Sequence, residues 1–217
     1  MVEITWLGHS CFRLRSNDLV AITDPFPDSI GLSIGEPEAL TVTVSHAHPN
    51  HSYWQGVGGE PKVLSGPGEY ELSGIYITGV MTPGGDGTPE SERNTAYMID
   101  MENLRLCHLG DMKEMLTTRQ VEELTPVDIL FLPAGGVCTI DVSRAVDVIR
   151  RLEPRVVVPM HYRVAGLEVQ LNGLEDFMRE MGIKEAQPQA RLNISVTNRP
   201  PEMRVVVLEP LGARAQH

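Results

Sequence analysis

The stretch Leu40-Thr41-Val42-Thr43-Val44-Ser45-His46-Ala47-His48-Pro49-Asn50-His51 decides how this chain is read. Leu40–Ser45 is apolar and β-branched, the composition of a buried strand. Residues two apart on an extended chain point the same way, so His46 and His48 can converge on one metal. Pro49 ends the strand, and the turn after it can carry Asn50 and His51 back toward the same point. Imidazole is a common ligand for zinc and related divalent metals. A lone histidine is usually structural; three at this spacing, directly after an apolar strand, predict a metal site.

Upstream of this stretch, Val2–Leu7, Cys11–Leu14 and Leu19–Thr23 are short apolar or alternating runs, read as a β-meander that stops at Asp24-Pro25. Downstream, Lys62–Leu64 and Ile75–Val80 read as strands separated by a turn at Gly66-Pro67-Gly68. Met81–Arg93 has no periodicity and reads as an exposed loop. Thr95–Asp100 and Leu104–Leu109 form a hairpin pattern, and Thr117-Thr118 opens a capped helix. Val127–Leu132, Asp141–Leu152 and Arg155–Pro159 make a βαβ unit ending at Met160-His161-Tyr162. An amphipathic helix over Leu174–Met181 and strands over Leu192–Val196 and Arg204–Leu208 complete the pattern. With no linker or repeat, residues 1–217 read as one mixed α/β domain.

Composition narrows the function. The chain has 217 residues, 41% hydrophobic, enough for a substantial core. Its formal net charge of -11 repels phosphate backbones, so neither nucleic acid nor an anionic membrane is an expected partner. A local basic patch can still receive a small anionic substrate. No apolar run reaches the roughly 18 residues of a spanning helix, and the N-terminus does not read as a signal peptide. Cys11, Cys107 and Cys138 are odd in number and widely spaced, as expected of buried free thiols in the cytoplasm. There is no Gly-x-Ser-x-Gly elbow and no glycine-rich phosphate loop.

The histidine segment resembles the His-x-His-x-Asp-His signature of metallo-β-lactamase fold hydrolases. Thr23-Asp24-Pro25, His108-Leu109-Gly110-Asp111 and Val158-Pro159-Met160-His161-Tyr162 match further motifs in the same order. Trp6-Leu7-Gly8-His9-Ser10 resembles the branch that includes ascorbate-6-phosphate lactonase. The resemblance implies a four-layer αββα sandwich and hydrolysis of a small ester, lactone or phosphorylated metabolite by a metal-activated water. It implies two adjacent metal positions, His46 and His48 at the first, His51 and His161 at the second, bridged by Asp111. Zn2+ is the implied ion, one or two per chain; Mn2+, Fe2+ or Ni2+ suit the same ligands. Asp24 would orient a ligand histidine, with a plain turn aspartate as its alternative reading. His9, His108 and Tyr162 stand as candidates facing the site without matching a ligand position.

Two departures bear on catalysis. Asn50 stands where the signature has aspartate, and an amide offers neither charge nor basicity. No histidine occurs between His51 and His108, so one metal position lacks its third imidazole. Asp86 could substitute as an oxygen ligand, or simply be an exposed loop residue. The catalytic set on this reading is Asp111, His51 and Asn50, and the expected partner is a small-molecule substrate, with a homo-oligomer left open. The alternative is a catalytically quiet metal- or ligand-binding member of the same fold.

Overall fold

Alternation along the first strand shows how the chain builds two cores at once. β1 (Val2–Gly8) sends Val2, Ile4 and Trp6 into one buried cluster and Leu7 into another. β2 (Cys11–Ser16) and β3 (Leu19–Thr23) repeat the division: Phe12, Leu14 and Ala21 on one side, Cys11 and Ile22 on the other. The cause is the two-residue period of a pleated strand. A computed structural model describes residues 1–84, 89 and 93–212.

β4 (Thr41–Val44) and β5 (Lys62–Ser65) extend the first sheet in parallel, and β12 (Leu192–Ile194) closes it against β1, giving the order β12-β1-β2-β3-β4-β5. The second sheet contains β6 (Gly68–Leu72), β7 (Ile75–Met81), β8 (Thr95–Met101), β9 (Leu104–His108), β10 (Ile129–Pro133), β11 (Val156–Met160) and β13 (Arg204–Val205). Its order is β13-β11-β10-β9-β8-β7-β6. The main core lies between the sheets, where Trp6, Phe12, Tyr97 and Phe131 are fully buried.

Three helices accompany the second sheet. α1 (Thr118–Leu124) starts at a capping box, with Thr117 and Gln120 satisfying each other's backbone N–H groups. α2 (Val142–Leu152) is capped by Asp141, which accepts from the Arg144 N–H at 3.0 Å. It buries Ala145, Val148, Ile149 and Leu152 at helical spacing, forming the crossover between parallel β10 and β11. α3 (Glu175–Glu180) packs on α2. The outer face of the first sheet is covered differently, by Phe26, Ile30, Leu32, Ile34, Ala39 and Val57 from the chain between β3 and β5.

The α/β sandwich is the expected one, and the differences are local. Gly68–Leu72 is a strand rather than the far side of a turn; half-exposed Tyr70 and Leu72 alternate with Glu69 and Glu71 at a sheet edge, a weak hydrophobic signal. The last strand is only Arg204–Val205, because just two residues pair with β11. Asp86 lies outside the described residues.

Candidate metal centre

The site gathers at one edge of both sheets, where strands end. His46, His48 and His51 follow β4, Asp24 follows β3, and Asp111 and His161 follow β9 and β11. Strand ends in parallel sheets release the chain into turns whose side chains converge above the sheet. Asp24 and His161 adopt left-handed backbone conformations, with φ 38° and 52°, which turn each side chain sharply out of its strand direction.

Asp111 is the centre. Its Oδ2 lies 3.2 Å from His51 Nε2 and 4.0 Å from His46 Nε2, and its Oδ1 lies 3.3 Å from His161 Nε2. The opposite edge of the His51 ring is fixed: Nδ1–H donates to Asp24 Oδ2 at 3.0 Å. Asp24 also accepts from the Ser45 N–H at 2.8 Å and the Ser45 hydroxyl at 2.6 Å. The hydroxyl in turn accepts from His46 Nδ1 at 3.0 Å. One buried carboxylate thus sets the tautomer and ring angle of two histidines, the usual role of a carboxylate behind a ligand imidazole.

Asp111 itself is placed by Asn94, a residue the sequence reading passed over. Its side-chain oxygen accepts from the Asp111 N–H at 2.8 Å, while its amide donates to Leu109 O at 2.8 Å and Thr82 Oγ1 at 3.1 Å. An asparagine before a strand carries no signal of this task, because its partners are 12 and 17 residues away.

The side chains present fit a divalent metal. Ligand atoms of His46, His48 and His51 lie within 4.8 Å of one another, close enough to share an ion. Asp111 Oδ1 and His161 Nδ1 are buried without a hydrogen-bond partner, an arrangement a native core rarely leaves uncompensated. Asn50 sits half-buried in the turn, where its N–H meets His48 Nδ1 at 3.2 Å.

Comparison with known proteins identifies the family. Residues 3–161 match the family model described as a β-lactamase superfamily domain. A crystal structure from Thermotoga maritima, whose name proposes a zinc-dependent hydrolase of the metallo-β-lactamase superfamily, is 32% identical with a TM-score of 0.79. That match covers 96% of this chain and 98% of the other. The chain belongs to the metallo-β-lactamase superfamily. It is also similar to a UPF0173 protein of Pyrococcus furiosus, 29% identical over 74% of this chain and 83% of the relative. A UPF0173 metal-dependent hydrolase of Lysinibacillus sphaericus is 25% identical over 74% of this chain and 85% of its own length.

Within this metallo-β-lactamase fold, three sequence candidates sit otherwise than expected. His108, the last residue of β9, points into the core between Phe12 and Phe131 rather than facing the metal centre. Its Nε2–H donates to Ser10 O at 2.8 Å and its Nδ1 accepts from Gly110 N at 3.3 Å, so it ties two site loops together. Tyr162 packs on Trp6 with ring centroids 5.0 Å apart, away from the ligand cluster, because its strand-end turn returns it to the core. Cys138 is exposed instead of buried; its thiol lies within 4.8 Å of Asp111 and His161 ligand atoms, on a turn where Val137 has φ 64°. His9 is buried at the centre's inner side, its ring stacked 4.3 Å from His161 and 4.7 Å from His51.

Charge is distributed unevenly across the cluster. Burial works against the Asp111 carboxylate, but His161 and His51 outweigh it and hold its pKa well below the usual carboxylate range. Burial would likewise discharge His51, yet Asp111 and Asp24 together push its pKa up to about 10. Burial, with His51 adding to it, lowers His46 to about 4 and keeps His161 below its ordinary value. At neutral pH the metal-free centre therefore carries its imidazolium on His51, with His46 and His161 neutral.

A cation ligated by His51 must expel that proton, so metal affinity should rise by up to about tenfold per pH unit below pH 10. Calorimetric titration in buffers of different ionisation enthalpy should show about one proton released at pH 7; none released would contradict the assignment. Stability of the metal-free protein follows the opposite sign. The raised His51 pKa stabilises fully below 6.5 and is lost as pH climbs toward 10. The depressed Asp24 and Asp111 stabilise above 3.8 and are lost on acidification.

Proposed function

We propose that the chain is a metal-dependent hydrolase of a small anionic ester or lactone, a phosphorylated metabolite above all. The observation that carries this reading is the convergence of His46, His51 and His161 on Asp111, with His48 clustered beside His46 and His51 and Asp24 locked behind His51. When bound, the metal supplies Lewis acidity and lowers the pKa of water from 15.7 toward about 7. His51 and His46 hold their donor nitrogens in place through Asp24 and Ser45, and Asn94 fixes the Asp111 carboxylate.

The substrate class follows from the cleft beside His46 and Asp111. It is lined by Pro83, Gly84, Arg93, Asn94 and Lys113 and has a volume of about 20 Å³, room for a water-sized group. The body of a substrate therefore lies at the mouth, where Arg93 and Lys113 offer two cations in a chain of net charge -11. Two cations beside a ligand carboxylate suit a phosphate or carboxylate group held next to the scissile bond. Such a substrate would suit the ascorbate-6-phosphate lactonase branch that the Trp6–Ser10 motif resembles. Asn50 has no basicity, so the rate rests on metal acidity and positioning rather than on a base at that residue. Zinc is the ion we propose, because imidazole and carboxylate donors suit it, and three free cysteines agree with a reducing cytoplasm.

The test is a panel of lactones, phosphomonoesters and phosphodiesters, assayed before and after chelation. Turnover should disappear on chelation and return with Zn2+, and phosphorylated substrates should be preferred over neutral ones. Tight metal binding with no turnover of any member would favour the quiet binding protein, the reading that Asn50 and the absent third histidine support.

A further inference from the structure

The inner side of the metal centre carries a feature that the His46–His48–His51 cluster does not use. His9 is 1% exposed, and neither its Nδ1 nor its Nε2 has a hydrogen-bond partner. A neutral imidazole has one donor and one acceptor, so leaving both desolvated and unpaired is unfavourable. The backbone that carries the ring is nevertheless fixed. The His9 carbonyl accepts from Trp6 Nε1 and from the His161 N–H, each at 3.0 Å, and the residue is turned inward at φ 50°. Its ligand atom lies within 4.8 Å of ligand atoms of both His51 and His161. His161 Nδ1 and Asp111 Oδ1 are likewise buried without a hydrogen-bond partner.

We infer that His9 is a metal ligand, completing an inner position formed by His9, His51, His161 and the Asp111 carboxylate. The inference rests on the metal-dependent reading above and deepens it. Position 50 offers only an amide, and a histidine 41 residues earlier in the chain restores the count to four protein donors. Four donors saturate a tetrahedral zinc, as in sites that hold structure, whereas catalysis needs an open position. The open position then belongs to the outer side, at His46 and His48, beside the cleft lined by Arg93 and Lys113.

The experiment uses the full chain and Zn2+ alone. X-ray absorption on protein loaded with one equivalent should count three imidazoles and no sulfur around the ion. His9→Asn, chosen because asparagine tolerates a positive φ, should weaken the first equivalent by more than about 100-fold. That exceeds the roughly 10–100-fold given by losing a residue that only supports a ligand. His46→Ala should leave the tight equivalent in place. Unchanged affinity in His9→Asn, or two imidazoles in the wild-type spectrum, would overturn the assignment while the metal-dependent reading stands. A sulfur neighbour replacing one imidazole would overturn it in favour of Cys138. A wild-type chain that takes up no Zn2+ would defeat both readings. Should His9→Asn fail to fold, the spectrum of His46→Ala decides: three imidazoles there keep His9 in the shell, and two overturn the assignment, because the outer group of His46, His48 and His51 can no longer supply three.

Discussion

Asp111→Asn should lose metal and hydrolysis together, with affinity for the first Zn2+ falling by more than about 100-fold. The shape of the side chain survives, but its charge does not. Asp111 is the one group that touches His46, His51 and His161 at once, and no second carboxylate from the described residues approaches all three. Losing a supporting residue alone costs about 10–100-fold in affinity, so losing a shared anionic ligand should cost more. A second readout separates this from misfolding. His51 titrates near 10 in the metal-free protein chiefly because Asp111 opposes its burial. In the variant, imidazole NMR should show His51 titrating well below that value. A His51 titration unmoved by the substitution would remove Asp111 from the centre of the cluster.

Gly110→Ala should destabilise the fold and displace Asp111. Gly110 has φ 57°, and an added Cβ would collide with Asn94 Oδ1 and lie 2.5 Å from Ser45 Cβ. Both neighbours are committed, Asn94 to the Asp111 N–H and Ser45 to Asp24, so neither can move without loosening a ligand. The left-handed penalty and the overpacking together cost about 2–5 kcal/mol, a melting-temperature fall of roughly 4–20 °C at this chain length. Gly35→Ala is the control: its φ is 72°, but a Cβ there meets nothing within 4 Å, so only the backbone penalty of about 1–2 kcal/mol remains. Equal losses in the two variants would show that packing against Asn94 and Ser45 contributes nothing. Metal affinity should fall in Gly110→Ala and stay unchanged in Gly35→Ala.

Several features needed nothing beyond the chain's own order. The alternation in β1 to β3, the capping box at Thr117 and the βαβ unit all depend on neighbours within a few residues, where side-chain period and capping chemistry act directly. His46, His48 and His51 belong to that class, because one strand and one turn bring them together. Strand β6 escaped because an edge strand buries too little to impose an apolar pattern.

The remainder of the centre depended on tertiary structure. His108 and His161 both sit where a strand of the same sheet ends, and in sequence they look alike. One closes β9 and points into the core; the other lies one residue past β11, at φ 52°, and reaches Asp111. In the sheet His108 lies level with Phe131 and Val158, three residues short of His161, so ladder position and the turn at His161 separate a structural histidine from a ligand candidate. His9, Asn94 and Cys138 reach the site from strand ends or starts far apart in sequence. No local pattern marks Asn94 or Cys138, and the Trp6–Ser10 motif points to His9 without giving it a ligand position, because these placements arise only when the two sheets pack and bring their edges together.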